Sequence, residues 1–221
     1  MDVEIKDLLD LDQTIAKDLF SDKTYPWEVL PDIKDFILKL GPTLDTSKFD
    51  CPMEDVWIAK SAKVAESATI AGPLIIDEEA EIRPGAYIRG NAIIGRGATF
   101  GNSCEIKNSV MFNESQTPHF NYVGDSVIGY KSHIGAGGIT SNLKSDKTNV
   151  VVKSKNGEEI ETGLRKFGAI LGDNVEVGCN SVLNPGTVIG RNSTVYPTSG
   201  VRGFVPANSI FKAPGNVVAK K

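Results

Sequence analysis

A repeat of six residues dominates the sequence between residues 58 and 112. Every sixth residue there is aliphatic or aromatic: Ile58, Val64, Ile70, Ile76, Ile82, Ile88, Ile94, Phe100, Ile106 and Phe112. Helices repeat every 3.6 residues and strands every two, so neither one long helix nor one long strand explains this spacing. The repeat is typical of a hexapeptide β-helix, in which short parallel strands form the faces of a prism and apolar side chains fill its interior.

Small residues follow the apolar ones at a constant distance. Four places after most of these positions stand Ala62, Ala68, Ala80, Ala86, Ala92, Ala98 and Cys104. A tight corner between two faces of a prism tolerates only a small side chain. The two patterns together predict an all-β solenoid.

The repeat breaks twice and resumes. Pro118 falls in the frame where an apolar residue is expected, and the pattern stops again at Thr140 before Leu171 restores it. We therefore predict a prism over residues 51–211, of roughly six turns, with surface loops at 113–122 and 141–169. Loops on a rigid scaffold often carry function. Within the second loop, residues 149–153 and 159–161 are expected to form a two-stranded excursion with a turn at 155–158. Residues 212–221 are expected to be a C-terminal tail.

Residues 1–50 do not share the repeat. Apolar residues at helical spacing over 8–20 and 29–40 predict a short helical hairpin that ends at Gly41-Pro42. Its simplest role is to cap the first turn of the prism, and docking of a partner is the alternative. The Tyr25-Pro26-Trp27 cluster is expected to pack against the prism.

Composition excludes several classes of function. The net charge of −4 argues against nucleic-acid binding. No apolar run is long enough for membrane insertion, and the acidic start does not fit a signal peptide. Cys51, Cys104 and Cys179 lack the spacing of metal ligands. We therefore expect a reduced, cytoplasmic protein.

Chemistry-bearing residues are few. His119 and His133 are the two histidines of the chain, too few for the three-histidine zinc site of carbonic anhydrases with this kind of prism. Residue type alone favours a solvated role for a loop histidine. The 141–169 loop carries six Lys or Arg residues against four Asp or Glu residues. This balance suits either phosphate binding or a solvated arm.

An ordered set of motifs lies within residues 81–142. It comprises EIRPGA at 81–86, EIKNS at 105–109, HFNYVGDS at 119–126, IGAG at 134–137 and SN at 141–142. Over about residues 57–211, the chain resembles the acetyltransferase half of the bifunctional N-acetylglucosamine-1-phosphate uridyltransferase/glucosamine-1-phosphate acetyltransferase family, and it is similar to related sugar nucleotidyltransferase-like proteins. The resemblance implies a left-handed β-helix, a homotrimer and an active site between subunits.

The resemblance also implies roles for individual residues. His119 would be the general base that deprotonates a sugar amine as it attacks the thioester of acetyl-CoA. Arg83 and Lys107 would hold the sugar phosphate, a task that needs fixed positive charge. The remaining implied residues are Tyr122, His133 and Asn142 toward the sugar substrate, and Ala136 and Cys179 toward coenzyme A. No metal would be required.

The leading expectation is therefore an N-acetyltransferase that acts on an amino-sugar phosphate such as glucosamine-1-phosphate, in UDP-N-acetylglucosamine biosynthesis. His133 replaces a family asparagine, Leu143 a tyrosine and Cys179 a serine, so the acceptor stays open. One alternative is an O-acetyltransferase, and another is a non-catalytic sugar-nucleotide-binding or regulatory oligomerisation module. Aromatic residues available for burial between copies in a homotrimer are Tyr87, Phe120, Tyr122 and Tyr196.

Overall fold

The computed structural model describes residues 2–154 and 156–220. Its α-helices are α1 (Ile5–Leu8) and α2 (Ile33–Leu40), and its 3-10 helices are Leu11–Gln13, Lys17–Phe20, Pro26–Val29 and Gly41–Thr43. Among the described residues, no helix combines the length and the apolar character needed to cross a membrane.

Short strands make up most of the chain. In chain order they are β1 (Phe49–Met53), β2 (Val56–Ala59), β3 (Lys63–Val64), β4 (Thr69–Ile70), β5 (Leu74–Ile76), β6 (Glu81–Ile82), β7 (Tyr87–Ile88), β8 (Ala92–Ile94), β9 (Thr99–Asn102), β10 (Glu105–Lys107), β11 (Ser109–Met111), β12 (Gln116–His119), β13 (Tyr122–Gly124), β14 (Val127–Ile128), β15 (His133–Ile134), β16 (Ile139–Thr140), β17 (Val151–Lys153), β18 (Glu159–Glu161), β19 (Ala169–Leu171), β20 (Glu176–Val177), β21 (Val182–Leu183), β22 (Thr187–Ile189), β23 (Thr194–Val195), β24 (Gly200–Val201), β25 (Phe204–Val205), β26 (Ser209–Ala213) and β27 (Asn216–Ala219).

Three sheets form the faces of a prism, as the repeat predicts. We call them the covered face (β1-β2-β5-β8-β11-β14-β19-β22-β25), the polar face (β3-β6-β9-β12-β15-β20-β23-β26-β27) and the open face (β4-β7-β10-β13-β16-β21-β24). Each turn contributes one strand to each face, and the open face has seven strands. Over the described residues the solenoid thus has seven complete turns rather than six, and β25 and β26 begin another. The β-solenoid fold is confirmed.

Antiparallel strands close the two ends of the stack. Strand β1 pairs with β2 at one end, and β27 pairs with β26 at the other. Most of the predicted C-terminal tail is therefore strand, because the last turn leaves an edge of unpaired backbone groups that another strand can satisfy.

The first predicted loop, 113–122, is instead part of the prism. Met111 pairs with Ile94 and lies in the interior, so the repeat slips by one residue and Phe112 points outward. Thr117 then pairs with Phe100 and is completely buried within strand β12. The prediction was wrong because it kept a constant frame across this slip and expected an apolar residue at the interior position that Thr117 occupies.

The N-terminal region is helical, but the first predicted helix is broken. Helix α1 ends at Leu8, and short 3-10 turns follow, whereas α2 agrees with the second predicted helix. The backbone O atom of Leu8 accepts a hydrogen bond from the N–H of Asp173 (2.9 Å), and the N–H of Asp10 donates to the Asp173 carboxylate (2.8 Å). These long-range bonds occupy backbone groups that a continuous helix would use.

This region covers one face of the prism. The backbone O atom of Gln13 accepts from the N–H of Asn113 (3.0 Å), and the O atom of Leu30 accepts from Asn108 Nδ2 (3.2 Å). The Trp27 ring is buried, with its centroid 5.8 Å from that of Phe167. Trp27 also shares one buried cluster with Ile75 and Ile93 of the covered face, and Tyr25 packs against that cluster, so the expected packing of the aromatic cluster against the prism is confirmed. The covered face is apolar on its outer side, and the N-terminal region buries it.

The second predicted loop, 141–169, leaves the prism as expected. Strands β17 and β18 pair antiparallel, as the sequence predicts, and Lys155 of the predicted turn lies outside the described residues. Val150, Val152 and Phe167 are buried in the same cluster as Trp27. We call residues 141–169 the arm. The arm is thus packed onto the N-terminal region and is not a free loop.

Candidate functional site

Two of the predicted substrate-binding residues contact one buried carboxylate, and a third is linked to it through one of them. Lys107 Nζ lies 2.8 Å from Asp125 Oδ2, and Asn142 Nδ2 donates a hydrogen bond to the same oxygen. Asn108 Nδ2 donates to Asp125 Oδ1 at 3.0 Å. Asn142 Nδ2 also donates to the hydroxyl of Tyr122 at 3.2 Å. We call these five residues the Asp125 cluster.

The fold places this cluster where the open face turns into the covered face. Strands β10 and β13 are neighbours, with Lys107 paired to Gly124, so Lys107 comes beside Asp125 one turn later. Asp125 has a φ of 48° at the corner. Asn142 follows β16, one turn further on. We call this line of corners the Asp125 edge.

The electrostatics of the cluster limit what Lys107 can do. The side chain of Asp125 is 6% exposed and that of Lys107 is 18% exposed, so the pair is mostly shielded from water. Burial, followed by the negative charges of Asp125 and Glu105, raises the pKa of Tyr122, which therefore keeps its proton at neutral pH. Lys107 is neutralised by Asp125, so the phosphate-binding role predicted for it needs further cations.

Two such cations lie in an adjacent cavity. This cavity of about 510 Å³ is lined by Leu30, Pro31, Asn108, Leu143, Leu164, Arg165 and Lys166. Leu143 and Lys166 form an isolated β-bridge that brings the two ends of the arm together. Arg165 and Lys166 contribute to the positive balance predicted for residues 141–169, but neither of them was assigned a separate role from the sequence. Their position just before the point where the repeat resumes could have indicated one.

His119 lies on a different edge, where the polar face turns into the open face. Its backbone is held firmly: its N–H donates to Asn121 Oδ1 (3.1 Å), and its O atom accepts from the N–H of Gly137 (3.0 Å). Its side chain is exposed, and the imidazole forms no hydrogen bond or ion pair with any described residue. The structure therefore places the predicted base without orienting its ring.

Asn121 fixes this corner and was not singled out from the sequence. Its side chain is 3% exposed, accepts from His119 N–H, and donates to the backbone O atoms of Gly135 (2.8 Å) and Gly138 (3.2 Å). It thus ties the HFNY segment to the IGAG turn one coil away. Its position within the HFNY motif could have identified it as a candidate residue.

Ala136 and Cys179 share the corner line of His119, which we call the His119 edge. The backbone O atom of Ala136 accepts from the N–H of Asn180 (2.8 Å), so the two predicted coenzyme residues lie in successive turns above His119. Arg83 belongs to the same edge two turns below His119, and its guanidinium contacts Glu81 Oε2 at 3.1 Å.

His133 joins neither group in the single chain. It begins strand β15 on the polar face, where it pairs with Gln116. Its Nδ1 atom lies 2.9 Å from Glu176 Oε2. Its predicted role in substrate binding stays a prediction.

The chain matches known proteins along most of its length. A model of the GMPPB C-terminal domain matches residues 70–178, and a model of the bacterial transferase hexapeptide (six repeats) matches residues 168–203. A bifunctional sugar-1-phosphate nucleotidylyltransferase/acetyltransferase of Sulfurisphaera tokodaii is 37% identical over 175 residues, 71% of this chain and 43% of that protein. The bifunctional protein GlmU of Methanococcus maripaludis is 33% identical over 221 residues, 91% of this chain and 49% of that protein.

The chain has a hexapeptide-repeat β-helix domain and is a homologue of GlmU-like bifunctional nucleotidyltransferase/acetyltransferases. The resemblance drawn from the motifs is thus confirmed, and the fold is a hexapeptide acyltransferase fold related to GlmU. The chain spans less than half the length of these two relatives, 43% and 49%.

Among solved structures, a UDP-N-acetylglucosamine acyltransferase of Francisella novicida is 17% identical, with a TM-score of 0.41, and the match covers 70% of this chain and 62% of that one.

Proposed function

We propose that this protein transfers an acetyl group from acetyl-CoA to the amino group of an amino-sugar phosphate such as glucosamine-1-phosphate. The observation that carries the proposal is the His119 edge, where His119, Ala136 and Cys179 occupy successive turns. Tyr122, three residues after His119, links this edge to the Asp125 cluster across the open face. The homology to nucleotidylyltransferase/acetyltransferases supports the same reaction.

The chemistry follows from the groups at that edge. The imidazole of His119 accepts a proton from the substrate amine as the amine attacks the thioester carbonyl, and it returns the proton to the departing thiolate. The backbone N–H of Ala136 donates to no described residue, so it is available to stabilise the negative charge that develops on the carbonyl oxygen.

The sugar phosphate needs positive charge that Lys107 alone does not offer. Arg165 and Lys166, beside the Asp125 cluster, form no ion pair with any described residue and can supply it. Arg83 lies at the other edge, and its guanidinium is held by Glu81. The binding groups and the base therefore lie on two edges of one prism.

A homotrimer would bring one edge of each copy against the other edge of the next. Tyr87, Phe120 and Tyr196 are 45%, 62% and 43% exposed and lie on or beside the open face. Burial of these aromatic side chains would favour association through that face. Sedimentation velocity at micromolar concentration tests this step, and a monomer there would contradict it.

The deciding experiment is free-thiol release from acetyl-CoA with glucosamine-1-phosphate. For His119→Ala we expect kcat to fall by about a hundredfold or more, the usual contribution of a general base. For His133→Ala we expect a higher KM with kcat largely retained, because that residue is proposed only to contact substrate. Glucose-1-phosphate as acceptor separates O-acetylation from N-acetylation. Absence of turnover with every amino-sugar phosphate would contradict the proposal.

A non-catalytic module that binds a sugar nucleotide is the second candidate. The unoriented imidazole of His119 and the neutralised Lys107 favour it. Calorimetry with UDP-N-acetylglucosamine distinguishes the two functions, since a module binds it without any release of thiol in the acetyl-CoA assay.

A further inference from the structure

A second cavity lies higher on the Asp125 edge, between the arm and the prism. Its volume is about 640 Å³, within the usual range for small-molecule sites. It is lined by Ser141, Leu143, Lys144, Ser145, Asp146, Val150, Val151, Lys153, Asn184, Pro185, Gly186, Arg202 and Gly203. Ser141, Asn184 and Arg202 follow three successive strands of the open face, β16, β21 and β24. The cavity thus belongs to the fifth, sixth and seventh turns, on the opposite side of the open face from His119.

The lining of this cavity is electropositive. Three cationic side chains, Lys144, Lys153 and Arg202, face one carboxylate, Asp146, in a chain whose net charge is −4. Lys144 Nζ bonds Thr148 Oγ1 (2.6 Å) and lies 3.5 Å from Asp146 Oδ2, and Lys153 Nζ lies 2.8 Å from Glu159 Oε1. Arg202 is exposed and forms no hydrogen bond or ion pair with any described residue. A guanidinium at the mouth of the cavity is therefore available to an anion.

The walls combine this charge with an apolar surface that the fold holds in place. Leu143, Val150 and Val151 supply the apolar wall. Gly186 has a φ of 79°, and a Cβ atom added there would lie 2.5 Å from Val150 Cγ1. Glycine at this position lets the arm approach the prism closely. The N–H of Gly186 also donates to the backbone O atom of Gly168 at 2.9 Å.

We propose that this cavity binds the diphosphate of a nucleotide. The Arg202 guanidinium pairs with phosphate oxygens through parallel N–H bonds, and the apolar wall contacts the nucleoside. Lys144 and Lys153 add charge by exchanging their weak surface pairs with Asp146 and Glu159 for the phosphate, whereas the mostly buried pair of Lys107 and Asp125 is held more firmly. A sugar nucleotide and coenzyme A both contain such a group. The inference does not depend on acetyl transfer at the His119 edge, because a binding module would need the same cavity.

Isothermal titration calorimetry of the whole chain with UDP, coenzyme A and inorganic pyrophosphate tests the proposal. At least one of the three probes is expected to bind, and Arg202→Gln is expected to weaken that binding by about ten- to a hundredfold, the effect of removing a charged hydrogen bond. The matched control is Arg96→Gln, which removes another exposed arginine in the third turn, outside the cavity, where Arg96 pairs with Glu78 (3.4 Å).

The results of these titrations distinguish the possible ligands from one another. Binding of UDP that is lost in Arg202→Gln and kept in Arg96→Gln identifies a sugar-nucleotide site, and the same pattern with coenzyme A alone identifies the coenzyme as the source. Arg202 makes no contact that folding needs, so melting temperatures should be alike in all three proteins. Absence of binding of all three probes, or equal affinities in the two variants, would overturn the proposal.

Discussion

The two edges of the open face hold their functional side chains in opposite ways. At the Asp125 edge the side chains bind one another: Lys107, Asn108 and Asn142 all contact one carboxylate, which is 6% exposed. At His119 itself only the backbone is held, through Asn121 and Gly137, and the exposed imidazole has no partner among the described residues. The side chains around Asp125 are thus held in place without a ligand. At His119 the backbone is held in place, but the orientation of the ring is not.

The difference shows which part of the site one chain can build alone. Lys107, Asp125 and Asn142 come from three successive turns, and parallel strand pairing stacks them directly. The His119 side chain is exposed, and no described residue forms a hydrogen bond or ion pair with its imidazole. Orientation of the imidazole must come from the substrate or from a neighbouring copy.

The largest contrast is expected when each edge loses its central side chain. Asp125→Ala should lower the free energy of unfolding by about 3 kcal/mol or more, because it leaves the partly buried Lys107 without its counter-charge. His119→Ala should change it by no more than about 0.5 kcal/mol, since the imidazole has no partner to lose. Urea denaturation of both variants measures the contrast, and similar losses of stability would refute it.

A smaller effect is expected at the buried amide that supports the His119 edge. Asn121→Ala should lower the free energy of unfolding by about 2 kcal/mol, because three backbone groups each lose one hydrogen bond in a buried corner. Thiol release should fall as well, since the segment that carries His119 is no longer tied to Gly135 and Gly138.

Asn102→Ala is the control for this prediction. Asn102 lies on the same edge and donates one exposed hydrogen bond to the backbone O atom of Pro84 (2.9 Å). Its loss should cost well under half as much in the same urea experiment. If the two variants lost equal stability, Asn121 would not be the residue that holds this corner.

The smallest effect is expected between Tyr122 and Asn142. Tyr122→Phe removes one hydrogen-bond partner of Asn142 while the bond to Asp125 remains, and it should cost about 1 kcal/mol. A double-mutant cycle with Asn142→Ala should show a coupling energy of at least about 0.5 kcal/mol, as for residues in one network. Strict additivity would mean that Tyr122 is not part of the Asp125 cluster.

The fold was largely predictable from the sequence, and the errors in that prediction have local causes. A repeat of six over ten positions specifies a solenoid because each interior side chain must stack on the one a turn below. The prediction failed at Met111, where the frame slips by one residue and Phe112 turns outward to meet Phe20, ring centroid to ring centroid, at 5.6 Å. A rule that counts every sixth residue cannot predict that Phe112 points outward or that Thr117 is buried.

The candidate site was predictable only in part. The motifs identified Lys107, Tyr122 and Asn142, and the structure brings these three together. Asp125 and Asn121 stood within the same motifs but were not chosen, because their importance lies in what they contact. Arg165 and Lys166 reach the cluster only through the β-bridge between Leu143 and Lys166, a pairing that spans the whole arm.

The sequence by itself determined the solenoid, the hairpin of the arm and the homology of the chain, since each is written in short, regular or ordered segments. Only the tertiary structure decided which face is covered, where the two edges lie and which side chains meet there. Those features depend on contacts between distant residues, such as the bond from Asp10 to Asp173 across 163 positions. Local periodicity specifies the strands, but long-range hydrogen bonds and burial decide what is placed against them.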